Sequence, residues 1–223
     1  MTRLVSCVAI VAACLIGACA SSPPMRYYTL TQIAPETRLS VPADTVPLRL
    51  DRVNLPSELD RLQLVRKIDA TRLQISEVDR WAAPLDEMIK RVLSVDLAAR
   101  LPANLVADPN EPSQGERRQS LSVDIQEFYA DAGCSITLHA TWIVKQPQPA
   151  SAPGGRQGHG ATAQNAQAQN AQAQNAQASE EIQMPAAASC SGSAPLPEAM
   201  SRALAVLSDR IAAAVAKSAS PGG

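Results

Sequence analysis

Two periods of hydrophobic spacing take turns along the chain. Met25 to Leu30, rich in Tyr and Thr, has strand composition. Val46-Pro47-Leu48-Arg49-Leu50-Asp51 puts Val46, Leu48 and Leu50 on one side, the alternation of a half-buried strand. Leu62 to Lys67 and Arg72 to Glu77 read as two more strands, and the short connection between them suits a hairpin. After Arg80-Trp81-Ala82-Ala83-Pro84 the period changes. Leu85, Met88, Ile89, Val92 and Leu93 share one helical face, with Asp86, Glu87, Lys90 and Arg91 on the other. Pro84 suits a first helical position, and Pro102 stops the pattern after about Leu101. Asn104 to Ala107 has the composition of a short buried strand. Alternation returns from Gln119 to Tyr129, with Leu121, Val123 and Ile125 inward. Across the turn Asp131-Ala132-Gly133, Cys134 to Lys145 answers with Ile136, Leu138, Ala140, Trp142 and Val144, which predicts an antiparallel hairpin. Glu181 to Met184 resembles a brief last strand. Leu196, Met200, Ala203, Leu204, Leu207, Ile211 and Val215 form the stripe of a last helix, from Pro197 to about Lys217.

The stretch 147–179 differs in kind. Arg156 is its only charge, and three tandem copies of Gln-Asn-Ala-Gln-Ala begin at Gln164, Gln169 and Gln174. A five-residue period fits neither a helical stripe nor strand alternation. With little beyond Ala to bury, the segment cannot offset the entropy of ordering, so a disordered insert is expected. The remaining ordered parts suffice for a single core. The expected fold is α+β: one domain over residues 25–217, a mainly antiparallel sheet with two amphipathic helices on one face, then a disordered tail at 218–223.

The N-terminus carries Arg3 and then an apolar run from Val5 to Ile16. A membrane span needs about 20 apolar residues, so this shorter run reads as an export signal. Its end, Ile16-Gly17-Ala18-Cys19, resembles the lipobox of bacterial lipoproteins. That resemblance implies removal of residues 1–18, acylation of Cys19 and a lipidated tether over 19–24. Val11-Ala12-Ala13-Cys14 is a weaker competitor because it cuts the apolar run short. Ala20 and Ser21 follow the cysteine where an aspartate is absent, which by resemblance to enterobacterial lipoproteins implies the outer membrane. Each buried lipid methylene contributes about 0.8 kcal/mol, so several acyl chains anchor a domain firmly.

Composition removes several classes. Losing Arg3 with the signal leaves 19 basic against 21 acidic side chains, with no basic stripe for nucleic acid. Of five cysteines, Cys7 and Cys14 leave with the signal and Cys19 carries lipid. Cys134 and Cys190 remain, an even pair in an oxidising compartment, and a disulfide between them is expected. Neither they nor the isolated His139 and His159 have metal-site spacing. No nucleophile elbow, phosphate loop or His-Glu-x-x-His is present. Glu58/Asp60 and Glu77/Asp79 sit among arginines in turn-like stretches and read as solvated ion pairs. Arg61 and Arg80 read as local ion-pair or cap partners. The sequence therefore points away from an enzyme, a cofactor or a metal.

Four motifs in order carry a family resemblance: Tyr27-Tyr28-Thr29-Leu30 just after the lipobox; Leu55-Pro56-x-x-Leu59-Asp60-Arg61-x-Gln63-Leu64-Val65; Arg80-Trp81-Ala82-x-Pro84-Leu85; and Gly133 with Trp142 in the next strand. The chain resembles the PqiC (YmbA) lipoproteins, auxiliary components of ABC-type and MCE-linked transport. The long insert and the Cys134/Cys190 pair depart from that pattern. The resemblance implies a non-enzymatic lipoprotein on the periplasmic face of the outer membrane. It would serve an intermembrane lipid transport system, docking a PqiB-like MCE tunnel protein, supporting membrane integrity and forming a homo-oligomeric ring. The competing readings are a monomeric periplasmic lipid carrier and a structural envelope lipoprotein. Tyr27, Tyr28 and Trp81 are the candidate partner interface, although Trp81 reads more readily as core at the helix start.

Overall fold

The alternating segments assemble into one seven-stranded sheet. The computed structural model describes residues 23–102, 104–107, 118–147, 175–186 and 193–219. Cys19, Cys190, His159 and most of the Gln-Asn-Ala insert lie outside the described residues. The strands are β1 (Arg26–Tyr28), β2 (Leu48–Asn54), β3 (Gln63–Lys67), β4 (Leu73–Trp81), β5 (Gln119–Asp131), β6 (Ser135–Lys145) and β7 (Ala176–Pro185). The helices are α1 (Leu85–Arg100) and α2 (Leu196–Ala219). The strand order is β1-β4-β3-β5-β6-β7, with β2 also paired to β5.

β5 organises the sheet. One edge takes β2 along Gln119 to Asp124 and β3 at Ala130 and Asp131. The other runs antiparallel to β6 over almost its whole length. Leu121, Val123 and Ile125 on β5, and Ile136, Leu138, Ala140, Trp142 and Val144 on β6, are all buried, as their alternation requires. The turn between these strands uses Cys134, not Gly133, for its left-handed residue, with φ 65°. The Cys134 N–H donates to the Asp131 carbonyl at 3.3 Å, and the Asp131 carboxylate accepts from the Ser135 N–H at 2.8 Å. Cys134 is disulfide-bonded.

The expected α+β fold is present, and three details differ from expectation. First, the mainly antiparallel sheet also holds parallel pairs, so it is mixed. β3–β4, β5–β6 and β6–β7 are antiparallel, but β1–β4, β2–β5 and β3–β5 are parallel. The chain returns from β2 to β5 only after passing through β3, β4 and α1, and so long a crossover delivers β5 in the same direction as β2. Second, the last strand starts at Ala176, so residues 176–179 of the expected insert belong to a ladder with Thr141 to Val144 of β6. Ala176 and Ala178 pack partly buried against the core, and Arg210 of α2 pairs with Glu180 beside them. Third, the strand expected at 104–107 reduces to one bridge, Leu48 to Val106.

Both helices bury the expected stripes, pack on each other and cover the sheet, α1 over β2 and α2 over β6 and β7. Pro84 sits one residue earlier than expected, as the residue preceding the first turn, and its carbonyl accepts from Met88 N–H at 3.1 Å. Asp96 and Arg100 of α1 are buried among these contacts. Arg100 Nε donates to Asp209 of α2 at 2.5 Å and Nη1 to the Ile33 carbonyl at 3.2 Å, while Asp96 accepts the Ile33 N–H at 3.1 Å. One guanidinium thus joins both helices to the N-terminal loop. Asp79 of β4 is a second buried centre, 4% exposed. It accepts from Arg26 Nε at 2.7 Å, Tyr28 Oη at 3.3 Å, Ser76 Oγ at 3.0 Å and Ser193 Oγ at 2.7 Å.

Burial pushes the Asp96 carboxyl up to about 6, against the Ile33 hydrogen bond and the Arg100 charge. An acid whose folded pKa lies above its unfolded one keeps its proton in the folded state longer, so stability falls as pH rises from about 4 to about 6. Asp96→Asn should gain on the wild type across that window by up to about 3 kcal/mol, read as urea midpoints at several pH values. For Asp79 burial also acts upward, but the bonds from Arg26, Ser193 and Ser76 outweigh it and lower its pKa. Its stabilisation is therefore present above the usual carboxylate range and lost as pH falls through it. Asp79→Asn should cost about 2 kcal/mol near neutral pH, with the difference closing in acid. A Cys134–Cys190 bridge would close a loop of about 55 residues and contribute about 4 kcal/mol in the chain-entropy model. Thiol counting on denatured, unreduced mature protein should find none, and two reactive thiols would refute the bridge.

Candidate functional site

Two of the four motifs that carry the family resemblance meet where β1 pairs with β4. Their parallel register sets Arg26 beside Asp79, Tyr27 beside Arg80 and Tyr28 beside Trp81. Alternation then divides them by face. Arg26, Tyr28, Asp79 and Trp81 turn to the core side, and Tyr27 and Arg80 to the outer side. Trp81 is 3% exposed and part of the core, which corrects its candidacy as an interface residue. Tyr28 is half-buried with its hydroxyl on Asp79, so it too is engaged inward. Burial of the phenol raises its pKa, with the Asp79 charge adding to the effect. Of the three candidates only Tyr27 presents itself outward, at 66% exposure.

A bulge in β4 builds the inward half. β3 pairs Gln63 with Arg80 but Val65 with Ile75, so the residues between Ile75 and Arg80 leave the regular ladder. Ser76 Oγ accepts the Asp79 N–H at 2.9 Å and donates to the same residue's carboxylate. This folds Asp79 inward, where Arg26 of β1 and Ser193 before α2 close around it. The expected solvated ion pair at Glu77/Asp79 is therefore corrected for Asp79. The sequence does hold a signal: Asp79 lies two residues before Trp81, so in a strand it must share the face of an apolar anchor.

The Leu55–Val65 motif makes the neighbouring wall. Leu59 and Asp60 N–H groups both donate to the Pro56 carbonyl, at 2.9 and 3.3 Å, forming a tight turn with Leu59 buried. Glu58 accepts from Tyr129 Oη at 3.2 Å and fastens the turn to β5. Burial, reinforced by Glu58, raises the Tyr129 pKa. Arg61 and Arg80 were expected to make local ion pairs. Among the described residues neither finds an acidic partner: both are half-buried, and the Nε of each is shut from water with no acceptor.

Elsewhere, Ile33, Pro35, Met184, Pro185 and Val206 line an open groove of about 660 Å³. Its two arginines are engaged, Arg100 by Asp209 and Arg202 by Glu198 at 2.7 Å. His139 lies against Ser179 at 3.3 Å on the polar side of the sheet. Among the described residues no group of His, Cys, Asp and Glu could hold a metal ion, and no helix is long and apolar enough to cross a membrane.

Comparison with known proteins agrees with this arrangement. Residues 28–212 match the family model for the ABC-type transport auxiliary lipoprotein component. The intermembrane transport lipoprotein PqiC of Escherichia coli K12 is 24% identical over 137 residues, covering 61% of this chain and 72% of PqiC, and the Shigella flexneri protein matches equally. A crystal structure of an uncharacterised protein superposes with a TM-score of 0.62 at 17% identity, over 86% of this chain and 98% of the other. Protein XCC0632 from Xanthomonas campestris does so at 0.56 and 13%, over 83% and 92%. These two establish the shared fold alone. With the family match spanning nearly the whole folded domain, the chain belongs to the ABC-type transport auxiliary lipoprotein family.

Proposed function

We propose that this protein is the outer-membrane lipoprotein subunit of an intermembrane lipid transport system, held on the periplasmic face through Cys19. There it docks a PqiB-like MCE tunnel protein, supports membrane integrity and assembles as a homo-oligomeric ring. The observation that carries this reading is the family match over residues 28–212, joined to the Ile16-Gly17-Ala18-Cys19 sequence placed just before the domain. The described chemistry is consistent with a non-enzymatic role. Its buried charged centres, Asp79 and the Asp96–Arg100 pair, are bonded within the fold, so they serve structure.

The alternative is a monomeric carrier that shields lipid in its own cavity. Against it, the core side chains are packed to near-zero exposure, and the groove beside Arg100 is open and edged by paired charges. Affinity purification of the lipidated protein from membranes separates the two. Recovery of an MCE protein with an oligomeric lipoprotein supports docking, whereas a monomer carrying bound lipid supports the carrier. The anchor has its own check: Cys19→Ser should abolish incorporation of a fatty-acid analogue and leave an unprocessed or soluble chain, and undiminished labelling would refute it.

A further inference from the structure

We propose that the outer face of the β1–β4 junction is a second membrane contact, in which Arg61 and Arg80 take the phosphates of anionic phospholipids while Tyr27 and Met25 enter the head-group layer. The inference rests on the anchor at Cys19. Arg26 lies seven positions after Cys19, and a fully extended chain over seven steps reaches at most about 25 Å. β1 is thus held close to the bilayer surface whatever path the tether takes.

What β1 presents there suits that surface. Met25 and Tyr27 are 47% and 66% exposed and share a face by alternation. Tyr27 and Gln63 flank Arg80 in register, and Arg61 lies two residues before Gln63. A tyrosine beside an apolar side chain and cations is the composition of the membrane interface. The two guanidiniums are available. Asp79, the nearest carboxylate in the ladder, faces the core and is satisfied by Arg26, Tyr28, Ser76 and Ser193. Asp60 and Glu77 adjoin the arginines in sequence but are exposed and form no ion pair with them. Among the described residues neither guanidinium has an acidic partner, and a phosphate oxygen at the terminal nitrogens would supply the counter-charge each lacks.

The test uses the mature chain begun at Ala20, which lacks the acyl group. Its outcome is therefore independent of lipidation, which the fatty-acid labelling decides. Flotation with vesicles of phosphatidylethanolamine and phosphatidylglycerol should recover the protein, and vesicles of phosphatidylcholine alone should recover much less. At about 1 kcal/mol per basic residue near an anionic surface, the double variant Arg61→Gln/Arg80→Gln should lower partitioning roughly 30-fold. Arg61→Lys/Arg80→Lys should keep most of it, which separates lost charge from lost folding. Tyr27→Ser should weaken binding with both arginines intact. Equal recovery on the two vesicle types, wild-type binding by the glutamine pair, failure of the lysine pair to restore binding, or saturable binding of inorganic phosphate without vesicle binding would each overturn the proposal.

Discussion

A strand buried along one face and hydrogen-bonded along both edges leaves its neighbours few choices, and β5 is that strand here. Its inward residues, Leu121, Val123, Ile125 and Phe128, lie in the core, so register with β6 is fixed by which side chains must be dry. Two strands share its opposite edge. β2 occupies the N-terminal half and β3 reaches only its last two residues. Because β3 carries β4, and β4 carries β1, the placement of the N-terminal strand follows from the length of β5.

At that far edge the fold changes its means of attachment. β1 is three residues long, too short to be held by its ladder alone. A carboxylate completes the fastening. Asp79 gathers Arg26 and Tyr28 from β1, Ser76 from the bulge and Ser193 from the approach to α2, segments more than a hundred residues apart in the chain. With the inward side chains committed to this centre, alternation leaves Tyr27 and Arg80 outward. The polar network that secures β1 thereby determines what the domain shows beside its tether.

For a lipoprotein of transport systems this arrangement is economical in parts. A lipid anchor by itself restricts where a domain lies but not how it is oriented. An outward face of tyrosine, methionine and two arginines without an acidic partner among the described residues would restrict orientation as well. The rest of the domain would then be presented to a partner in a defined attitude. The helices stand on the core face of the sheet, joined through Arg100, Asp96 and Asp209, and hold the sheet to one curvature.

Local pattern was enough to establish the helices, the β5–β6 hairpin and the apolar stripes, because a period of 3.6 or 2 is written in adjacent residues and the core that reads it is continuous. The four ordered motifs likewise stood in the sequence, and with them the family. Parallel pairing of β1, β2 and β3 was not legible, since direction depends on the path of the intervening chain rather than on any residue within the strand. Nor was the strand at Ala176 to Ser179: Ala, Gln and Ser have weak strand preference, and only the waiting edge of β6 and the cover of α2 order them. Tertiary structure alone decided the fates of the motif residues. Trp81 went to the core, and Asp79 was buried because donors from β1 and from the approach to α2 met it there beside Ser76 of its own strand. Arg61 and Arg80 were left without the ion pairs their acidic neighbours in sequence suggested, because strand alternation and the bulge turned Asp79 to the opposite face.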